Sequence, residues 1–306
     1  MPNFADFEDE GVDWITILEE DYYPDYLEDA VERHEEDLRK FKQIVHKVDS
    51  SAKILTYINS NWKTTGDEGK ERRQLLRIFR RYVLPVASVE MTSVKSNHDM
   101  VVNDFAEFIR PIDEVREVLN GREFPDEALA GILDQHDDRG EKGYWVEDKI
   151  FEWFETNFGD EFNIEGPRGA GSDIYLNEEF SGYEHETPAD FIVYGPTDEP
   201  EIIGFARYDS DRGGGQEDDR TGGNDDKVQK ITEYSKEHDY DIKILFIAEG
   251  PGLLLGDMWQ SNARTEQKAQ NVKVCTLKMM DERISEDWVT SDPISESSGP
   301  IIQGEK

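Results

Sequence analysis

The sequence predicts an α/β protein, with an N-terminal helical domain followed by an α/β core built on a central mixed sheet. Three observations predict it. Apolar residues recur at three and four through residues 12–135, the period of an amphipathic helix. Two short apolar runs, ADFIVYG and EIIGFARYD, follow one another between Ala189 and Asp209 as adjacent strands. A helix-period segment, DDKVQKITEYSKEHD, then separates them from a third apolar run, IKILFIAEG, as a crossover to a parallel strand requires.

Taken in order, the helical half contains VDWITILEEDYYPDYLEDAVERHEEDLRKFKQIVHKV, RRQLLRIFRRYVLPVASVEM and DFAEFIRPIDEVREVLN. The polar stretch DQHDDRGEKG, residues 134–143, offers little to bury and reads as a break, which puts a boundary near residue 138. Beyond it come a helix, YWVEDKIFEWFETNF, a glycine-rich link, GPRGAGSD, a short strand, DIYL, and the two strands already named. VKVCTLKM reads as a last strand. The expected organisation is a helical domain over 1–138, an α/β domain over 139–289, and a frayed tail rich in Ser, Pro and Gly over 290–306. There is no internal repeat.

A net charge of -36, from 70 acids against 34 bases, would ordinarily argue against nucleic acid as a partner. The acids are spread along the whole chain, however, in the manner of halophilic proteins. Screening over roughly 3 Å at 1 M salt makes such a surface tolerable. Aromatic residues at 11% and clear strand and helix patterns argue against a disordered acidic chain. Cys275 is the only cysteine, which excludes an intrachain disulfide and a cysteine-based zinc site and fits a reducing cytoplasm. No run of eighteen apolar residues occurs, so a soluble protein without a membrane partner is expected.

The chemistry concentrates between Pro188 and Gly223. An acid on one strand facing charged side chains on its neighbour is a way for a sheet to hold a divalent cation. Mg²⁺ keeps several waters and needs few carboxylates, so Asp190 with one or two acids a strand away is enough. Strand side chains alternate, which puts Phe205, Arg207, Asp209 and Asp211 on one face if the strand runs that far.

This order of helix, strands, crossover helix and strand, with Asp190 after a Pro-Ala pair, resembles the core of the PD-(D/E)xK nuclease superfamily. Residues 144–280 look most like a type II restriction endonuclease, so the resemblance implies a restriction-endonuclease-like α/β core. It further implies that Asp190 binds Mg²⁺ and that Glu147, on the preceding helix, assists. The family's acid-x-Lys on the next strand is missing, since the chain reads Gly204, Phe205, Ala206, Arg207, Tyr208, Asp209, Ser210, Asp211. Two arrangements fill the gap. Arg207 replaces the lysine, with Asp209 and Asp211 as further ligands; an arginine stabilises a phosphorane or positions water but stays protonated and cannot act as base. Alternatively the function migrates to the next segment, with Glu217 or Asp218 as ligand and Lys227 or Lys230 reaching back from the helix. The resemblance implies hydrolysis of duplex DNA to 3'-hydroxyl and 5'-phosphate ends, and cutting both strands calls for a homodimer. The alternative is a noncatalytic DNA-binding or regulatory protein on a degenerate nuclease fold.

A basic run contradicts the acidic chain: Lys70, Arg72, Arg73, Arg77, Arg80 and Arg81, with Glu71 against them. Arg73, Arg77, Arg80 and Arg81 share one side of a helix and read either as a phosphate-contacting stripe, joined by Arg212, or as internal partners for the acids. DSDRGGGQEDDR is not a calcium loop, because Arg220 stands where the bidentate acid belongs. GPRGAGSD lacks the Gly-Lys-Ser/Thr ending of a phosphate-binding loop, and its glycines are expected to allow a close approach, such as that of a DNA backbone. The six histidines show no ligand spacing, although His185 stands near Asp190.

Overall fold

The computed structural model describes residues 2–168, 174–210, 217–238 and 240–290, the side chains of 138–140 and 217–222 excepted. The chain divides into two compact units, residues 20–139 and residues 1–19 with 140–306. The first is helical. The second is a mixed α/β unit around a five-stranded sheet.

The helical unit is built from α1 (Tyr26–Lys47), α2 (Ser51–Asn61), α3 (Gly66–Tyr82), α4 (Ile112–Gly121) and the first part of α5 (Glu127–Phe158). Leu38, Phe41, Ile44 and Val45 of α1 are buried at helical spacing, and they meet Leu75, Leu76, Ile78 and Phe79 of α3 in one core. Both helices place acids in the first turn (Glu28 and Asp29; Asp67 and Glu68) and bases in the last (His46 and Lys47; Arg80 and Arg81), which complements the helix dipole.

In the α/β unit the remainder of α5 leads to β1 (Asn163–Glu165), β2 (Phe191–Tyr194) and β3 (Pro200–Tyr208). Then follow α6 (Glu217–His238), β4 (Lys243–Glu249), α7 (Met258–Glu266) and β5 (Val272–Cys275). The sheet order is β1-β2-β3-β4-β5, the order of the chain. β1 to β3 pair antiparallel, and β4 and β5 add in parallel after crossovers through α6 and α7. Every residue of β4 is buried, as a central strand covered on both faces must be.

Three expectations are corrected. Residues 134–143 are not a break but lie inside α5. Asp134 and Asp137 hold positions there by accepting hydrogen bonds from Arg33, at 2.6 Å, and Arg77, at 2.5 Å. The strand expected at DIYL is reduced to Ile174–Tyr175, which pairs only with Pro188–Ala189. The first nineteen residues belong to the α/β unit, not to the helical one. Phe4 is fully buried and stacks on Trp259 with ring centroids 4.6 Å apart, and the amide of Thr16 donates to Glu249 at 2.7 Å. The expected tail falls outside the described residues from 291 onward. No described helix is long and apolar enough to cross a membrane.

Candidate functional site

Asp190 stands at the entrance to β2, where its place is set by β3. Its backbone amide donates to the Gly204 carbonyl at 3.0 Å, and its Oδ2 accepts from the Ala206 amide at 2.7 Å. This close pairing needs Gly204. A Cβ there would fall 1.9 Å from the Phe191 ring, which instead lies against the bare backbone and packs on Phe154. Gly166 plays a similar part: a Cβ on it would sit 2.5 Å from the Asp190 carbonyl oxygen. The close approach at this glycine of the GPRGAGSD link is thus made by the protein's own chain, not by a DNA backbone.

Further along β3, Phe205 and Arg207 project from the same face, with Asp209 just beyond the strand end. Arg207 Nε donates to Asp209 Oδ1 at 2.7 Å. The carboxylate is buried, with 7% of its side chain exposed, whereas the arginine side chain is 45% exposed. Asp209 is fixed by its backbone to the end of β4, donating to the Glu249 carbonyl and accepting from the Gly252 amide, both at 2.8 Å. Gly250, between them, has φ +95°, and a Cβ there would lie 2.5 Å from the Asp209 oxygen.

These groups meet in one cavity of about 310 Å³, lined by Asp190, Arg207 and Asp209 from the sheet, Asn224 and Lys227 from α6, and Asn262 from α7. Its apolar floor is Phe205 stacked on Phe246, centroids 5.1 Å apart. Lys227 Nζ sits 4.0 Å from the Phe205 ring centroid. Carboxylates, two kinds of cation and two carboxamides over an aromatic floor suit an anionic ligand with an accompanying hard cation.

Not every expected residue lines this cavity. Glu147 is half-buried on α5 and is not among the lining residues. Lys230 is held by Asp226 at 2.6 Å, one turn earlier in α6, and does not line it either. His185 is exposed and makes an edge contact with Tyr183 at 5.7 Å, away from the cavity lining. Asp211 and Arg212 lie outside the described residues, as do the side chains of Glu217 and Asp218. Asn224 and Asn262 were not foreseen. Asn262 is a buried polar residue whose Nδ2 bonds the Met258 carbonyl at 2.9 Å, and the sequence around it carries no motif to mark it.

Among the described residues, no group of three or more His, Cys, Asp or Glu side chains is placed to hold a metal ion. Asp190 and Asp209 remain as hard oxygen donors on one cavity. This fits Mg²⁺, which is held by one or two carboxylates together with water and substrate phosphate.

In the helical unit the basic run separates into two sets. Arg72 is buried and donates to Asn59 Oδ1 at 2.5 Å, and Arg77 donates to Asp137 and to Gln74, the latter at 3.1 Å. Arg81 reaches His136 at 3.5 Å. Arg73 is exposed and makes no ion pair among the described residues, and Arg80 is half-buried. Of the two readings of Arg77, phosphate contact and internal partner, the contact with Asp137 favours the second. Nearby, buried His34 has Nε2 3.6 Å from Asp134 and 3.8 Å from Asp137; burial holds its pKa below the usual value, against the pull of the two acids.

No protein-family model matches this chain, and no curated protein or solved structure matches it.

Proposed function

We propose that this protein is a Mg²⁺-dependent endonuclease of the type II restriction kind, hydrolysing phosphodiester bonds of duplex DNA. The observation that carries the reading is the meeting of Asp190, Arg207 and Asp209 in one cavity at the ends of β2 and β3. The element order supports it as well: a helix, three antiparallel strands, a crossover helix and a parallel strand, with the acid at the start of the second strand.

In this reading Asp190 and Asp209 hold the ion. Mg²⁺ supplies Lewis-acid polarisation of the phosphate and lowers the pKa of water when bound. Asp190 is oriented by the Ala206 amide and Asp209 by Arg207. Arg207 faces the scissile phosphate and offsets developing negative charge, keeping its own proton throughout. Arg73, Arg80 and Arg81 are left to meet the DNA backbone, and a homodimer brings one such site to each strand. Counterion release contributes little in molar salt, so base contacts and shape carry more of the affinity than usual.

The second reading, a noncatalytic DNA-binding protein on a degenerate nuclease fold, is favoured by one observation. Phe205, beside the amide that orients Asp190, is apolar where the family resemblance calls for an acid. The test is incubation of the purified protein with long unmethylated duplex DNA in concentrated KCl, with Mg²⁺ or with EDTA. Discrete fragments in Mg²⁺ alone carry the nuclease reading, and DNA bound but intact across salts and divalent metals carries the second.

A further inference from the structure

We infer that Arg72 and Asn59 form a buried site for a small monovalent anion such as chloride, between α2 and α3 of the helical unit. The inference concerns a different part of the chain from the nuclease reading and does not depend on it.

Arg72 is 2% exposed, and a guanidinium keeps its proton even when buried. Its one hydrogen bond runs from Nη2 on α3 to Asn59 Oδ1 on α2, at 2.5 Å. Nε, on the same edge of the guanidinium, is buried and has no acceptor among the described residues. Asn59 Nδ2 is likewise a buried donor without an acceptor. Two such donors, one from each helix, are thus brought close by the hydrogen bond between them. Turning the carboxamide over does not help, because it sets Nδ2 against Nη2, donor against donor.

Nor does a carboxylate answer the charge. α2 carries no acid, and the three acids of α3 face other cations: Asp67 lies 3.9 Å from Lys70, Glu68 3.3 Å from Lys63 and Glu71 2.5 Å from Lys40. Burial first, and then Arg73, hold the Arg72 pKa below its usual value, and no acid among the described residues pulls it the other way. In a chain of 70 acids and 34 bases this is a local reversal of sign.

An uncompensated buried charge is strongly destabilising. A water accepts hydrogen bonds from Nε and Nδ2 but leaves that charge in place, whereas an anion satisfies the donors and neutralises it. Burial selects a small monovalent ion, since stripping water from a multivalent oxyanion costs far more. The carboxamide at position 59 fits this role. An aspartate would engage Nε and Nη2 together as a bidentate pair and leave nothing for an ion, while asparagine takes one nitrogen and adds a donor of its own.

The experiment is urea unfolding of the full chain in mixtures of potassium chloride and potassium glutamate at fixed ionic strength, for wild type, Asn59→Asp and Arg72→Met. In wild type, each tenfold rise in chloride above the dissociation constant of the site should raise the folding equilibrium constant roughly tenfold, through one site that only the folded chain offers. Asn59→Asp carries its own carboxylate and should lose most of this dependence, while becoming more stable than wild type in glutamate alone. Arg72→Met, which removes the charge, should lose it too. Wild-type crystals grown in potassium bromide should show an anomalous peak beside Arg72 Nε and Asn59 Nδ2, which keeps the test decisive if Arg72→Met does not fold. Equal stability of wild type in chloride and glutamate, an undiminished chloride response in Asn59→Asp, or a bromide map with only a water at these nitrogens would overturn the inference.

Discussion

In the helical unit, Arg72 and Arg77 are absorbed by Asn59, Gln74 and Asp137 of the same unit. In the α/β unit, Arg207 gives one nitrogen to Asp209 and keeps two terminal nitrogens on a cavity, with Lys227 opposite and an aromatic floor beneath. Both units carry cations beside acids, so the difference lies in geometry and not in composition. On a helix, an arginine one turn from its neighbours readily finds a carboxylate on the next helix. At the end of a strand, alternation and the backbone ladder hold the arginine where, among the described residues, Asp209 alone pairs with it.

The comparison is broken most severely at Gly204. In Gly204→Val the side chain meets the Phe191 ring, so the pairing of β2 with β3 must shift, at a cost of about 3 kcal/mol in thermal or denaturant unfolding. Any DNA binding through the helical unit's arginines should survive if the protein remains folded, whereas any activity that depends on Asp190 should not.

A smaller effect separates the two sets of arginines. Arg77→Ala breaks the contact with Asp137 and should destabilise the protein by about 1 kcal/mol in urea unfolding, with little change in DNA affinity. Arg73→Ala should do the reverse, weakening DNA binding severalfold while leaving the unfolding midpoint in place. Equal loss of DNA affinity in both variants would erase the distinction drawn between them.

An effect of similar size is a pH dependence in the helical unit. Burial first, and then the neighbouring Glu71, raise the Asp37 pKa to about 6 from an ordinary carboxylate value near 3.8. The folded state therefore holds this proton more tightly than the unfolded chain does. Its contribution to stability is most favourable at low pH and declines as pH rises from about 4 through about 6. Asp37→Asn should flatten that slope in melting curves taken across this window and raise stability at pH 8 by about 1 kcal/mol. An unchanged slope would remove Asp37 from the account.

Much of the site was legible in the sequence because strand alternation is a strict rule. Phe205, Arg207 and Asp209 could be placed on one face from spacing alone, and the apolar runs on either side gave the strand pair and its crossover. The choice between Arg207 and Lys227 was not legible, because it depends on how α6 lies across the sheet. In the structure both line the cavity, and Lys230 is held back by Asp226 in its own helix. The three-residue edge strand β1, with Asn163 and Glu165 at its ends, has too little apolar pattern to be recognised. Residues 134–143 read as a break because Asp134 and Asp137 are held by charged contacts with α1 and α3, which a hydrophobic period does not register. The acidic first nineteen residues concealed two buried anchors, Phe4 and Phe7, and the partner of Phe4, Trp259, is distant in sequence.

The central claim is that Asp190 and the cavity it shares with Arg207 and Asp209 cut DNA. The most direct test is the Mg²⁺-dependent cleavage rate of Asp190→Asn beside wild type, in concentrated KCl on the same duplex, with melting curves to confirm that both are folded. The account predicts discrete fragments from wild type and at least a hundredfold slower cutting by the variant, about 2.7 kcal/mol of barrier or more. A folded Asp190→Asn that cuts at the wild-type rate, or a folded wild type that binds the duplex and never cuts it, would contradict it.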